Sequence, residues 1–186
     1  MKKLVLMITL SLFVTVAVIA QNPPRSLKLQ GVEMVETISE DGASIIKRPY
    51  RWFAGMAEAD VESVAIEMAQ LEAYATVSRV IENSVLAEAE RGTTAVNGNV
   101  QKALKSHWEQ VSMSIQRVCE PFGETVSTFN DETGLYEVVA KVGIRGDRYV
   151  KLLDGAKNVD TEGLSGSDLQ QFIDANNAII DSAKGN

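Results

Sequence analysis

Few residues in this chain are of types that do chemistry. His107 is its one histidine and Cys119 its one cysteine. A single histidine excludes multi-histidine metal sites, and any Ser-His-Asp arrangement would depend on His107 alone. It stands between Ser106 and Trp108, off the apolar stripe of a predicted helix, and reads as a solvated surface imidazole. A lone cysteine cannot close an intramolecular disulfide. Cys119 reads as a small buried hydrophobe at a helix end, with a disulfide-linked dimer as the alternative. The chain carries no GxxxxGK[ST] phosphate loop, no GxSxG, no HExxH and no CxxC. Asn130-Asp131-Glu132 gathers carboxylates, but calcium loops alternate their ligands and this run does not, so it reads as a hairpin tip.

The remaining candidates are arginines with aromatic and acidic neighbours. Arg79 falls in the middle of a largely apolar helical run, where it is either an anion contact or the partner of Glu72, Glu82 or a strand carboxylate. Arg51, Trp52, Glu72, Tyr74 and Arg79 are together the candidates for a small-ligand or partner site between a sheet and its helices. They call for no metal and no cofactor. Lys47-Arg48-Pro49-Tyr50-Arg51 is the nearest approach to a basic patch, and it reads as strand residues on a solvated face. The formal charge is -7, and it becomes -9 if residues 1–20, with Lys2 and Lys3, are removed. Such a charge repels phosphate backbones and anionic lipid, so nucleic acid is not an expected partner.

Elements to hold these residues are legible as periodicities. Residues 27–57 read as a hairpin: Val32 to Ile38, the turn Ser39-Glu40-Asp41-Gly42, then Ala43 to Phe53. Pro49 has no amide donor, which predicts an edge or a bend, and Gly55 predicts a bulge or close backbone packing. After Asp60, a natural cap, residues 61–90 contain no Gly or Pro and predict a long helix. Val61, Ala65, Ala69, Ala73, Val77, Ile81 and Val85 recur every four residues, with Val64, Met68 and Leu71 widening the apolar face. The alanines would let this helix lie close against a sheet. A second helix carries Val100, Leu104, Trp108, Val111, Ile115 and Val118 as one stripe, which should bury Trp108. A second hairpin follows: Glu124 to Phe129, a turn at Asn130 to Gly134, and a strand whose Tyr136, Val138, Ala140, Val142 and Ile144 share one face. A short helix from Asp147 through Leu153 completes the domain.

Residues 154–163 read as a polar linker. A last helix opens with Ser165 as cap and Asp168 three residues on, with Leu164 and Leu169 as a staple. Its predicted inner face is Leu169, Phe172, Ile173, Asn176, Ile179 and Ile180, docking either on this domain or on another chain. The expected class is α+β: an antiparallel sheet of two hairpins packed against a long alanine-rich helix and a second helix, with a C-terminal helix.

Residues 1–20 have the build of a bacterial secretory signal. Lys2 and Lys3 precede an uncharged run from Leu4 to Ala20, and Pro23-Pro24 follows a cleavage point between Ala20 and Gln21. The alternative is a retained anchor, since the run approaches the roughly 20 residues that span a bilayer. Cleavage would leave no stable membrane anchor and a periplasmic or secreted product. The expected layout is signal 1–20, linker 21–26, domain 27–153, linker 154–163 and helical tail 164–186.

Tyr50-Arg51-Trp52-Phe53-Ala54-Gly55-Met56-Ala57, then Ala65, Ala69 and Ala73, Ser78-Arg79 and the Tyr136 to Ala140 strand carry a family likeness. With the order of elements, they make residues 45–153 resemble the LPP20-like family of bacterial cell-envelope proteins. That resemblance implies an exported α+β domain, often a lipoprotein or flagellum-associated module, with no established catalytic residues. This chain differs in having no cysteine after its signal. The leading expectation is a non-enzymatic protein that binds envelope proteins or polymers through its sheet surface or terminal helix. The alternatives are a small-ligand carrier or hydrolase, and a self-assembling structural component.

Overall fold

In the computed structural model, the described residues are 28–39, 41–91, 97–159, 163–164 and 166–185. The signal segment, the Ala20–Gln21 cut, the linker 21–26, the Ser165 cap and the Val85 side chain lie outside the described residues.

Two hairpins build one antiparallel sheet. β1 (Gln30–Ile38) pairs with β2 (Ile45–Ala59) in an unbroken register from Gln30 opposite Phe53 to Ile38 opposite Ile45. The tip closes through Gly42 N–H to Ser39 O at 2.8 Å, with Gly42 at a φ of 73° that suits glycine. β2 runs six residues beyond the expected Phe53, and its second half pairs with β5 (Leu135–Arg145) from Tyr50 opposite Arg145 to Ala59 opposite Tyr136. β3 (Glu120–Pro121) and β4 (Val126–Asn130) share the other edge of β5. Asn130 Oδ1 accepts from the N–H groups of Glu132 and Thr133, so the acidic run there is a hairpin tip.

α1 (Glu62–Arg91), α2 (Gly98–Gln116), α3 (Gly146–Gly155) and α4 (Ser167–Gly185) are the helices among the described residues. The α+β expectation holds. α1 crosses β2 at Gly55, where an added Cβ would lie 2.2 Å from Ala73 N and 2.3 Å from Ala69 O. Ala65, Ala69 and Ala73 are fully buried there, and Val77 and Ile81 continue the line into the main core. Small residues on both partners thus bring a helix backbone onto a strand backbone. The apolar face of α1 is narrower than its sequence predicts, because an axis held this close to the sheet hides only the residues directly beneath it. Val61, Val64, Met68 and Leu71 stay 43–69% exposed.

Pro49 is not in an edge strand, since β2 lies between β1 and β5. Ala54 N–H donates to Leu29 O, so amides of even-numbered β2 residues point to β1 and odd-numbered ones to the β5 side. At Pro49 that side is free of β5, which has turned at Arg145 into α3. The missing donor therefore breaks no ladder bond.

The α2 stripe is buried as expected at Val100, Leu104, Trp108 and Ile115, and Cys119 is a buried free thiol. α4 joins the same core. Phe172, Asn176, Ile179, Ile180 and Ala183 are buried, Leu169 is half-buried, and Ile173, expected on the inner face, is 41% exposed. Lys184 Nζ reaches Asp154 Oδ1 at 2.7 Å, tying the end of α4 to α3.

Candidate functional site

The five sequence-predicted residues do not converge. Arg51 is buried on the helix side of β2, donating to Ala183 O at 3.3 Å and Gln30 Oε1 at 3.0 Å, with its guanidinium 4.8 Å from the Tyr149 ring centroid. It joins the end of α4 to the sheet through its two terminal nitrogens, while its Nε is buried without a hydrogen-bond partner. Trp52, its neighbour in the strand, points to the opposite face and lies over Gly31, with Lys141 Nζ 4.7 Å above its ring. Arg79 pairs with Glu72 and donates to Thr76 Oγ1 at 2.9 Å, all within α1. This is the ion-pair alternative of its two readings. Tyr74 Oη donates to Cys119 O at 3.4 Å, and Gln116 Nε2 donates to Tyr74 O at 2.8 Å, fastening α2 to α1. No common cleft receives these groups.

His107 departs from its expected solvated position. Its Nε2 lies 2.9 Å from Ala156 O, and its ring meets the edges of Trp108 and Phe172 at centroid distances of 6.0 Å. A carbonyl only accepts, so Nε2 carries the hydrogen. Burial lowers the imidazole pKa, and the bond to Ala156 opposes that shift more weakly. Asn176 Nδ2 donates to the same carbonyl at 2.9 Å, so one oxygen at the end of α3 gathers α2 and α4. The Cys119 thiol is pushed up to about 12 by burial, which leaves no thiolate for nucleophilic chemistry near neutral pH. Among the described residues, no group of three or more His, Cys, Asp or Glu is placed to hold a metal ion.

Among the described residues, the two most exposed large apolar side chains, Ile38 and Ile45, are on the first hairpin. β2 is 15 residues long and β5 only 11, so residues 45–49 project past β5 with β1 as their one strand neighbour. On the helix side of this arm, Met34 is 57% exposed and Ile38 and Ile45 each 72%, and Val32, opposite Arg51 at the arm's base, is 57% exposed. The exposed apolar groups fall into two parts, Val32 with Met34 and Ile38 with Ile45, with the Glu36–Lys47 ion pair between them on the same face. Exposed apolar groups gathered in this way mark interaction sites. Among the described residues, β1 is also a free sheet edge. The Ala54–Leu29 bond and the unbroken register commit the main-chain groups of Gly31, Glu33, Val35 and Thr37 to β2. Those of Gln30, Val32, Met34, Glu36 and Ile38 face outward. The open main-chain groups and the exposed apolar side chains therefore belong to the same alternate residues.

Comparison with known protein families, with curated proteins and with solved structures finds no match to this chain. The edge and the arm stand on their own geometry. Among the described residues, no helix is long and apolar enough to cross a membrane.

The opposite face of the sheet is partly covered, although Met56 and Val126, on either side of Val139, remain exposed there. Tyr50 stacks on Phe122 with centroids 5.6 Å apart, and Phe122 fills the space over Gly143. Sequence reading treated Val32, Met34, Ile38 and Ile45 as ordinary strand residues. The signal that could have separated them is strand length, because the overhang of β2 beyond β5 decides which alternate residues a helix can cover.

Proposed function

We propose that this protein is an exported, non-enzymatic cell-envelope component that captures an extended polypeptide segment along β1. Its edge strand supplies main-chain pairing, and the apolar arm supplies side-chain contacts. The observation that carries this reading is the coincidence at Val32, Met34 and Ile38 of outward-facing main-chain groups with exposed apolar side chains. Strand addition draws affinity from main-chain bonds and specificity from alternate side chains, and both are offered here. β1 lacks the lysines and prolines that usually guard a long free edge. Export rests on the signal-like residues 1–20 and on the resemblance of residues 45–153 to an envelope family.

A pair of proline substitutions tests the reading. Met34→Pro removes an outward N–H and spares the β1–β2 ladder, so stability should fall by no more than about 1 kcal/mol. Val35→Pro removes a ladder bond and should cost about 3 kcal/mol. With a photo-crosslinking residue at Val32 in intact envelopes, the unsubstituted edge should give a discrete polypeptide adduct that Met34→Pro abolishes. An adduct unchanged by Met34→Pro, or no adduct at all, would overturn strand capture. An adduct containing only a second copy of this chain would replace the partner with self-assembly.

A further inference from the structure

A second surface lies between α2 and α3, as an open groove of about 630 Å³. Its size is within the range of small-molecule sites. The floor is made by Val111 and Val118 from the α2 side and Leu152 from α3, half-buried side chains that pack on the main core and leave one flank open. Arg148 and Lys151 rise from α3 on one rim, three residues apart and therefore on one helical face. Gln110 and Ser114 stand opposite on α2, and no carboxylate lines the groove.

The charge at this place runs against the rest of the chain. The protein carries a formal charge of -7, and many of its cations are already matched: Lys47 by Glu36, Arg79 by Glu72, Arg145 by Asp147, Lys184 by Asp154. Both aspartates of α3 are thus engaged, Asp147 by Arg145 and Asp154 by Lys157 and Lys184. Arg148 and Lys151 make no ion pair among the described residues. Glu120 shares a neighbouring depression with Arg148 and is not within pairing distance of it. An apolar floor beside two unmatched cations is complementary to a molecule with one apolar part and one anionic end.

We propose that the groove between α2 and α3 binds an amphipathic anion, an acyl-chain carboxylate or phosphate, with its chain along Val111, Val118 and Leu152 and its head between Arg148 and Lys151. The apolar part contributes burial, and the head contributes charge-assisted hydrogen bonds that are bidentate where Arg148 is the donor. This site is independent of the β1 edge, so either assignment can fail alone.

The test is calorimetric titration of the full chain with dodecanoate below its aggregation concentration, beside dodecanol, acetate and dodecyl phosphate. Dodecanoate should bind saturably with one site per chain. Acetate lacks the chain and dodecanol the charge, so each should bind at least tenfold more weakly, as should dodecanoate to the Arg148→Gln/Lys151→Gln double variant. Both substituted residues are exposed, so circular dichroism should show an unchanged fold. Ser114→Trp, which fills the groove from its exposed rim, should abolish binding. A dodecyl phosphate affinity at least tenfold above that of dodecanoate assigns a phosphate-headed lipid as the source, and the reverse a free fatty acid. Dodecanol binding as tightly as dodecanoate, acetate binding as tightly, or a double variant with unchanged affinity would each overturn the proposal.

Discussion

The two halves of β2 carry residues of similar type and do opposite things with them. At Gly55 the strand has no side chain, and α1 answers with Ala65, Ala69 and Ala73, so helix and strand backbones meet and everything between them is buried. At Ile45 the strand has a large apolar side chain that is 72% exposed, as is Ile38 across the ladder. At these two positions the small residue is hidden and the large ones are open, while Phe53, beside Gly55 under the helices, is large and fully buried. Hydropathy alone would rank these regions the wrong way round. Burial here follows from what lies above each strand position: α1 covers β2 where β2 pairs with β5, and nothing among the described elements covers the overhang.

The strongest way to break this contrast is to give Gly55 a side chain. Its Cβ would meet main-chain atoms of α1 at 2.2 to 2.6 Å, and main chain cannot rotate away as a side-chain tip can. Gly55→Ala must lift α1 from the sheet, uncovering the alanine row and Val138 and Ala140 beneath it. The expected loss is about 3 kcal/mol or more, with a lower midpoint in urea unfolding. A variant within about 1 kcal/mol of the parent would show that the crossing is not close-packed.

How much of this was legible depends on whether a property is local. The α1 alanine ladder, the α2 stripe and the alternation in β5 are local patterns, and each buried most of the face it pointed to, with Val111 and Val118 of the α2 stripe left half-buried. Val64, Met68 and Leu71 were misread because the width of a buried helix face depends on how closely the helix approaches, which Gly55 sets from another element. His107 was misread for a related reason. It lies off the α2 stripe, and the docking of α4 through Phe172 and the bond to Ala156 cover part of it, leaving it half-buried at the wall of the α2–α3 groove. Arg51 and Trp52 are adjacent in sequence and therefore on opposite faces of a strand, so they could not share a site between sheet and helices. Of the three partners open to Arg79, the structure pairs it with Glu72, seven residues away on the same helix, and not with Glu82 at the three-residue spacing that ordinarily brings helical side chains together.

His107 gives a way to weaken the covered half while leaving the arm alone. Burial holds its folded pKa below the ordinary 6.5. The unfolded chain therefore takes up the proton first as pH falls, and stability is full above about pH 6.5 and declines as pH falls from there toward the folded pKa. Protonation leaves the Nε2–H bond to Ala156 in place, so the penalty is for charging a half-buried ring packed against Trp108 and Phe172. His107→Gln should remove this decline from thermal midpoints measured between pH 7 and pH 5. The exposed Lys47–Glu36 pair on the arm, with both side chains more than 60% accessible, should contribute almost nothing to the same curve. A parent and variant with parallel pH profiles would show that the imidazole is not half-buried.

The smallest expected effect on stability falls on the largest apolar side chains of the arm. Ile38 and Ile45 face each other across the ladder, so what they bury they bury mainly against one another. Ile38→Ser/Ile45→Ser should shift the unfolding free energy by no more than about 1 kcal/mol, the sum of two ordinary surface substitutions, despite removing two isoleucines. A core isoleucine such as Ile144, 1% exposed on β5, should instead cost about 2 to 5 kcal/mol on truncation to alanine. If the arm is a binding surface, the double serine variant should lose the Val32 crosslink while keeping its fold, separating apolar contact from the main-chain pairing that Met34→Pro removes. A loss of stability close to that of Ile144→Ala would mean that the arm is covered in solution, and the contrast between the two halves of β2 would disappear.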